Sequence, residues 1–237
     1  MNYVCSDIHG CLEEFVCLLE SIEFKAEDKM YILGDVLDRG EKPIELIRFI
    51  MKCPNIELLK GNHESDAYYL LSSLLSSMSD VNVKSHLSMD IYKMINSWVK
   101  DNGGGNTLKQ FLDLDSETRQ DILDYLKNLP VYKKIPINDQ VYLLSHTFDD
   151  EAYQEGKPLN EYDENVFVYG YINHERNYFN NMKHITGHVP TPLTRSDEQP
   201  LILDYNNHLN IDCGIVYGGR LSCICLDTGK HYYIGEN

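Results

Sequence analysis

Residues 58–66, LLKGNHESD, end an apolar run at Gly61 and at once present an amide, an imidazole and a carboxylate in Asn62, His63 and Glu64. The residues leading into Gly61 have the β-rich composition of a short strand. In α/β proteins, functional groups collect in the crevice outside the carboxyl ends of strands. The stretch therefore predicts a strand that stops where its end contributes to a site.

The chain before this stretch repeats one pattern of strand, loop and helix. Residues 2–7 are β-rich, and residues 11–22 carry apolar side chains at helical spacing. The same alternation returns in residues 28–40 and 42–53. Strands that alternate with helices of about a dozen residues indicate βαβ units and a largely parallel sheet.

The chain after this stretch changes character twice. Residues 65–129 are rich in Leu and Ser at helical spacing, which predicts a helical insertion, and Gly103 to Gly105 are typical of a helix end and turn. After Pro130 the pattern is β, with Asn, Asp and Gly at the turns. Neither a repeat nor a low-complexity linker divides the chain. We expect a single α/β domain over residues 1–237.

Composition limits the partners of the protein. The chain has 21 basic and 37 acidic residues, a formal net charge of -16. Such a surface repels nucleic acid. An anionic substrate would need local positive charge, and bound metal ions are a natural source of it.

The cysteines and the first residues bear on location. Seven cysteines form no CxxC pair, which predicts reduced thiols, and the patterns around Cys11, Cys17, Cys223 and Cys225 predict that these four are buried. The first ten residues have no leader pattern, and no run reaches the length of a membrane span. We expect a cytoplasmic protein without membrane contact.

Five polar clusters follow directly on predicted strands: residues 6–10, 34–40, 61–64, 143–146 and 185–191. They offer carboxylates, imidazoles and one amide, namely Asp7, His9, Asp35, Asn62, His146 and His188. These oxygen and nitrogen donors suit Mn, Fe or Zn. Each cluster alone also fits a turn or a surface histidine. Their coincidence favours two ions that share one carboxylate, the geometry that supports displacement at phosphorus. The five other histidines, at 86, 174, 184, 208 and 231, fit no cluster and are predicted not to be ligands.

Three of these clusters carry a family resemblance. SDIHG (6–10), GDVLDRG (34–40) and GNHE (61–64) resemble the signature motifs GDxHG, GDxxDRG and GNHE of the metal-dependent phosphoprotein phosphatases, with Ser6 in place of the usual Gly. Segments 98–108, 127–135, 186–191 and 211–227 are similar to the bacterial and phage branch of that family. The resemblance implies a calcineurin-like metallophosphoesterase fold, a central β-sandwich of mixed sheets flanked by helices, with residues 65–129 as a helical insertion.

The resemblance also implies a role for each ligand. Asp7 and His9 would bind a first ion, Asp35 would bridge to a second, and Asn62, His146 and His188 would complete the second site. Two divalent ions are expected, most readily Mn, with Fe, Zn, Co or Ni as alternatives. A hydroxide held by both ions would attack phosphorus directly.

The remaining implied roles concern proton transfer and substrate binding. His63 would protonate the leaving oxygen, and Asp38 would orient it. Arg39, Asn62 and Arg176 would contact the substrate, Arg176 because it is the only arginine between His146 and residue 186. The family places small residues after the equivalent of His146, so Thr147 and Phe148 are expected to reshape the pocket.

Three functions are weighed. The first is hydrolysis of phosphomonoesters, above all protein phosphoserine and phosphothreonine. The second is symmetrical hydrolysis of diadenosine tetraphosphate, although hydrolases of that kind carry Ala at the position of Asp38 and Asp at that of Glu64. The third is a phospho-ligand binding module without catalysis.

Overall fold

The computed structural model describes residues 1–79 and 89–235, and two five-stranded sheets form its centre. The first sheet has the strand order β10-β9-β1-β2-β3, built from β1 (Asn2–Cys5), β2 (Lys29–Ile32), β3 (Ile56–Leu58), β9 (Leu221–Cys225) and β10 (His231–Ile234). The second has the order β4-β5-β6-β8-β7, built from β4 (Tyr132–Ile137), β5 (Gln140–Ser145), β6 (Lys183–Thr186), β7 (Leu203–Tyr205) and β8 (His208–Asn210).

Both sheets are mixed. In the first sheet β1, β2 and β3 run parallel, β9 pairs antiparallel with β1, and β10 pairs antiparallel with β9. In the second sheet β5, β6 and β8 run parallel between the antiparallel strands β4 and β7. The expectation of a largely parallel sheet holds for the amino-terminal βαβ units and for the centre of the second sheet, but not for the outer strands. The carboxyl-terminal strands β9 and β10 form a hairpin, which cannot pair in parallel.

Two apolar layers hold these sheets in place. One joins the sheets face to face and includes Val4 and Leu33 from the first sheet side and Leu144, Ile185 and Leu209 from the second. The other packs the helices on the outer face of the first sheet. The predicted sandwich of mixed sheets flanked by helices is confirmed.

Six α-helices lie within the described residues: α1 (Leu12–Ser21), α2 (Pro43–Met51), α3 (Asn62–Ser79), α4 (Met89–Asp101), α5 (Gly105–Leu112) and α6 (Ser116–Lys127). Pro43 opens α2, where its missing N–H costs nothing. The Asp115 side chain caps α6 by accepting a hydrogen bond of 2.9 Å from the Thr118 N–H. The predicted insertion corresponds to α3 through α6, but α3 begins three residues early because Asn62 already forms its first turn.

The burial of the cysteines agrees with the prediction only in part. All seven are free, and Cys223 and Cys225 are buried as expected. Cys11 is only half-buried, and the prediction for Cys17 was wrong: it is exposed, on the face of α1 that points away from the core. Among the described helices, none combines the length and apolarity needed to cross a membrane. His86 lies outside the described residues.

Candidate metal centre and active site

The five polar clusters meet at one edge of the sandwich. β1, β2 and β3 end side by side, and β5 and β6 of the second sheet lead directly into His146 and His188. Two groups of candidate ligands result, one of His9, Asp35 and His63, the other of Asp35, His146 and His188. Within each group the ligand atoms lie within 4.8 Å of one another, and Asp35 belongs to both.

Backbone carbonyls orient two of the imidazoles. The Nδ1 of His9 lies 2.8 Å from the carbonyl oxygen of Leu37, and the Nδ1 of His146 lies 2.8 Å from that of Leu33. Since a carbonyl only accepts, each Nδ1 carries the proton and each Nε2 presents a lone pair to the centre.

The donor set fits a cation. The Nε2 of His146 lies 3.0 Å from Oδ1 of Asn62 and 2.9 Å from Nδ1 of His188. The imidazole lone pair and the amide oxygen are both acceptors, so no hydrogen bond joins them. Imidazole nitrogens with an amide and a carboxylate oxygen are a coherent ligand set for a divalent transition metal.

Electrostatics also prepare these groups for metal. Burial lowers the pKa of His9 and of His188 to about 3, so both imidazoles are neutral, the form that coordinates metal. Burial would raise the pKa of Asp35, but the surrounding imidazoles outweigh it and hold that pKa below its usual range. Burial raises the pKa of Asp7 to about 6.

Asp7 lies beside the two groups and belongs to neither. Its carboxylate accepts the backbone N–H of His188 at 3.0 Å and the hydroxyl of Ser6. Ser6, the one departure from the first signature motif, is therefore a hydrogen-bond donor to a predicted ligand.

The backbone is strained where the side chains converge. Eleven non-glycine residues of the described chain have positive φ, and six of them are predicted site residues: Asp7, His9, Asp35, Asp38, Arg39 and His188. Such conformations persist only where the surrounding structure enforces them, and they cluster at functional sites. Gly61 adds a close approach, since a Cβ there would collide with Oδ1 of Asp35.

Glu64 fixes the loop that carries Asp35. Its buried carboxylate accepts four backbone N–H groups, at 2.7 Å from Asp35, 2.9 Å from Val36, 3.2 Å from Leu37 and 3.0 Å from Gly61. No role for Glu64 was predicted from the sequence. The feature that could have indicated one is a carboxylate in the cluster 61–64, next to Asn62 and His63, which both have predicted roles.

His63 and Asp38 form a buried pair. The Nδ1 of His63 lies 2.6 Å from Oδ2 of Asp38. Burial alone would lower the pKa of His63. The carboxylates of Asp35 and Asp38 raise it by more, so that the pKa of His63 is about 9. These two carboxylates favour the protonated form of His63, which is the form that a general acid needs.

Arg39 lies beside two histidines of the first group, His9 and His63. Its guanidinium nitrogens are 2.7 Å from Nε2 of His9 and 3.0 Å from Nε2 of His63. The exposed ring of Tyr217 covers it, with 5.2 Å from Cζ to the ring centroid. Its planar fork presents N–H donors beside both histidines, a geometry that suits the oxygens of an anion.

A family model described as calcineurin-like phosphoesterase matches residues 3–223. The chain belongs to this family. Among curated proteins, it is 36% identical over 78 residues to a symmetrical bis(5'-nucleosyl)-tetraphosphatase of Buchnera aphidicola, and 41% identical over 65 residues to one of Aliivibrio fischeri. These matches cover 32% and 27% of this chain, but only 28% and 24% of the relatives, so the chain spans less than a third of their length.

Solved structures show the shared fold of this calcineurin-like phosphoesterase. A protein provisionally assigned as a diadenosine tetraphosphatase has a TM-score of 0.63 and 16% identity, with 100% of this chain and 93% of that one covered. A cold-active protein-tyrosine phosphatase from a psychrophilic Shewanella has a TM-score of 0.52 and 18% identity, with coverage of 98% and 80%. At such identities only the fold is shared, and it is the predicted one.

The structure does not bring Arg176 to the other predicted residues of the phosphoesterase. Its Nε lies 3.2 Å from Oδ1 of Asp150, and its guanidinium packs on the rings of Tyr153 and Tyr178. None of these partners is a predicted site residue. The prediction rested on its being the only arginine in the interval, and a phosphate contact of Arg176 stays a prediction.

Thr147 and Phe148 were expected to reshape the pocket, but both side chains point into the interior behind it. Phe148 is fully buried at the centre of a cluster of rings that includes Tyr162, Phe167 and Tyr178. Thr147 is also buried and donates to the carbonyl of Gly170 at 2.8 Å. Both side chains shape the segment behind the phosphoesterase site rather than its opening.

Proposed function

We propose that the chain hydrolyses phosphoric esters or anhydrides with the aid of two divalent ions held around Asp35. The observation that carries the proposal is the position of Asp35 in two groups of metal-type ligands, beside a buried pair of His63 and Asp38. A carboxylate common to both ions is the arrangement that clamps an in-line displacement at phosphorus.

The ligands proposed for the ions are those named above. His9, Asp7 and Asp35 would hold one ion, and Asp35, Asn62, His146 and His188 the other. When bound, the ions supply Lewis acidity and activate water near neutral pH. Arg39 binds and orients the phosphoryl group, and His63 gives its Nε2 proton to the leaving oxygen while Nδ1 stays bonded to Asp38.

A symmetrical dinucleoside tetraphosphate is the first candidate substrate. The curated relatives named for that activity support it, within the share of their length that the chain matches. Two exposed rings beside the site also suit nucleobases, Tyr217 over Arg39 and Tyr171 at 5.6 Å from the ring of His188. Base stacking on an exposed aromatic ring is sequence-tolerant and is worth about 1–3 kcal/mol per base.

A phosphomonoester, including phosphoserine or phosphothreonine, is the second candidate. The contact of 2.6 Å between His63 and Asp38 favours it. An alkoxide is a poor leaving group and needs a proton, whereas a nucleoside diphosphate leaves without one. A buried, oriented general acid therefore gives its largest advantage with alkyl phosphates.

One experiment compares these candidates. Metal-stripped protein is reloaded with Mn²⁺ and assayed side by side on diadenosine tetraphosphate, a phosphoserine peptide and p-nitrophenyl phosphate, with Asp35→Asn as the inactive control. Preferred cleavage of the dinucleotide supports the first candidate, and phosphate release from the other two alone supports the second. Two bound ions without turnover of any substrate would refute catalysis and leave a phospho-ligand binding module.

A further inference from the structure

The carboxylate of Asp38 has more partners than His63. It is fully buried, and its Oδ2 accepts the indole N–H of Trp98 at 2.7 Å in addition to the Nδ1–H of His63 at 2.6 Å. Its Oδ1 accepts the hydroxyl of Thr107 at 2.6 Å. Trp98 and Thr107 lie on α4 and α5 of the helical insertion, 60 and 69 residues along the chain.

The backbone and the carboxylate of Asp38 both bind to the helix pair α4 and α5. The Thr107 oxygen that donates to Oδ1 also accepts the backbone N–H of Asp38 at 3.0 Å. One residue further, the N–H of Arg39 donates to the carbonyl of Gly103 at 2.9 Å, in the turn between α4 and α5. Gly103 has φ of +79°, and a Cβ there would press against Arg39. The turn therefore docks directly on the Asp38 and Arg39 backbone.

This arrangement restricts the carboxylate more than core packing requires. An indole N–H buried in a core needs only one acceptor, and a backbone carbonyl would serve. Here two donors from the insertion meet the two oxygens of a single catalytic carboxylate. Hydrogen bonds to an ionised acceptor are short and directional, so they fix its rotation. With its oxygens held, Asp38 fixes in turn the ring plane of His63.

We propose that the helix pair α4 and α5 is a positioning element for the general acid, with Trp98 and Thr107 as its positioning residues. The proposal rests on the proposed function and specifies its substrate class, because oriented proton donation matters most for esters with a poor leaving group. The oxygen of water forms a new bond to phosphorus as that water releases a proton to solvent, and the ester P–O bond breaks with its electron pair on the leaving oxygen. That oxygen takes the Nε2 proton of His63, while the Nδ1–H of His63 stays hydrogen-bonded to Asp38; solvent then returns a proton to Nε2. Within the proposed function, this role favours the second candidate, phosphomonoesters of weakly acidic alcohols, over the dinucleotide.

The test uses Trp98→Phe, which keeps a ring without the N–H, and Thr107→Val, which keeps the shape without the hydroxyl. The Mn²⁺-loaded variants are assayed on phenyl phosphate, a poor leaving group, and on p-nitrophenyl phosphate, a good one. We expect kcat/KM to fall about tenfold or more on phenyl phosphate and only about twofold on the nitrophenyl ester. In an Asp38→Ala background neither substitution should lower the rate further, because the acceptor of both donors is already lost.

The matched control is Ile122→Val, which removes a buried methyl group from α6 of the same insertion and carries no polar atom toward Asp38. It should lower the melting temperature without changing the ratio of the two rates. Equal losses on both esters in Trp98→Phe, or no loss on either, would overturn the proposal and leave Trp98 as a core residue.

A second readout separates this proposal from the proposed function. The proton between Nδ1 of His63 and Asp38 should give a downfield proton resonance in the Mg²⁺-loaded, diamagnetic protein, and the resonance should broaden or shift in both insertion variants but not in Ile122→Val. An unchanged resonance would refute the positioning role. An inactive wild type with an altered resonance in the variants would instead refute the proposed function alone.

Discussion

Two regions beside the metal centre are built on different principles. The amino-terminal loops, residues 6–10, 34–40 and 61–64, are held by directional bonds, such as the four N–H groups on Glu64, and by enforced left-handed backbone. The segment 147–182 is held by packed rings around the buried Phe148. Directional bonds specify the position of an atom, whereas packed rings specify mainly a volume. The first region is therefore suited to placing reactive atoms, and the second to filling the volume behind them.

Three histidines extend the packed rings of the second region, and the ring of His184 lies 6.0 Å from that of Phe148 between centroids. His184 and His208 lie side by side on β6 and β8, and His174 stacks on His208 at 5.0 Å between centroids. These three histidines, predicted not to be ligands, belong to neither of the two ligand groups. The packed rings of the second region thus lie against imidazoles that must stay neutral.

Asp35→Asn tests the amino-terminal loops at their centre and should have the largest effect. An amide in place of the carboxylate removes the charge common to both groups, so both ions should be weakened together. We expect metal-dependent turnover to fall by more than about 100-fold, with metal content by mass spectrometry falling in parallel. Full turnover with two ions bound would contradict the place given to Asp35.

His63→Asn separates proton transfer from metal binding in the same loops. We expect a loss of about 100-fold or more on phenyl phosphate, because a general acid contributes on that order, and a much smaller loss on p-nitrophenyl phosphate. Metal content should remain near that of the wild type. Equal losses on the two esters would argue against His63 as the acid.

Glu64→Gln tests whether directional bonds really hold the loop. Each oxygen of Glu64 accepts two N–H groups, and the glutamine NH₂ would face two of them as a fellow donor. We expect a loss of about 2–3 kcal/mol in the free energy of unfolding and weaker Mn²⁺ binding by about tenfold. Urea titration and calorimetry measure the two, with the exposed Glu155→Gln as the control.

His184→Gln sharpens the contrast from the side of the second region. Burial lowers the pKa of His184 to about 3, below its unfolded value, so the unfolded chain takes up a proton that the folded protein refuses. The stability that His184 contributes is full above pH 6.5 and is lost as pH falls toward 3. Glutamine can keep the contact with Ser145, 2.8 Å from Nε2 of His184. Urea midpoints should therefore fall less steeply with acid than in the wild type, and an unchanged slope would contradict this.

Arg176→Ala should have the smallest effect on turnover. Its guanidinium is engaged by Asp150 and two rings, away from the ligand groups. We expect KM to change by less than about twofold, while Arg39→Ala should change it by about tenfold or more. A comparable effect of the two substitutions would restore Arg176 as a phosphate-binding residue.

The sequence predicted the first region well and the second poorly, for physical reasons. Ligand-type residues at strand ends are a local signal, because strand, turn and ligand lie within a few residues, as in residues 34–40. The contacts of Trp98 and Thr107 with Asp38 join segments 60 and 69 residues apart, and no periodicity encodes such a pairing. The burial of Phe148 depends on the aromatic rings that the segment 149–182 supplies, and the sequence does not show which of them it would contact. Arg176 was assigned to the substrate site only because no other arginine lies in that interval, and no sequence pattern supports this assignment.

The order of the site residues along the chain also has a consequence for synthesis. The acid, its orienting carboxylate and its helical supports all lie within the first 107 residues, and so do His9 and Asp35. The second ligand group is completed only by His188, which lies 81 residues beyond Thr107. A ribosome therefore exposes His63 and its helical supports long before it exposes the last candidate ligand. The nascent chain cannot bring both ligand groups together until His188 has been made.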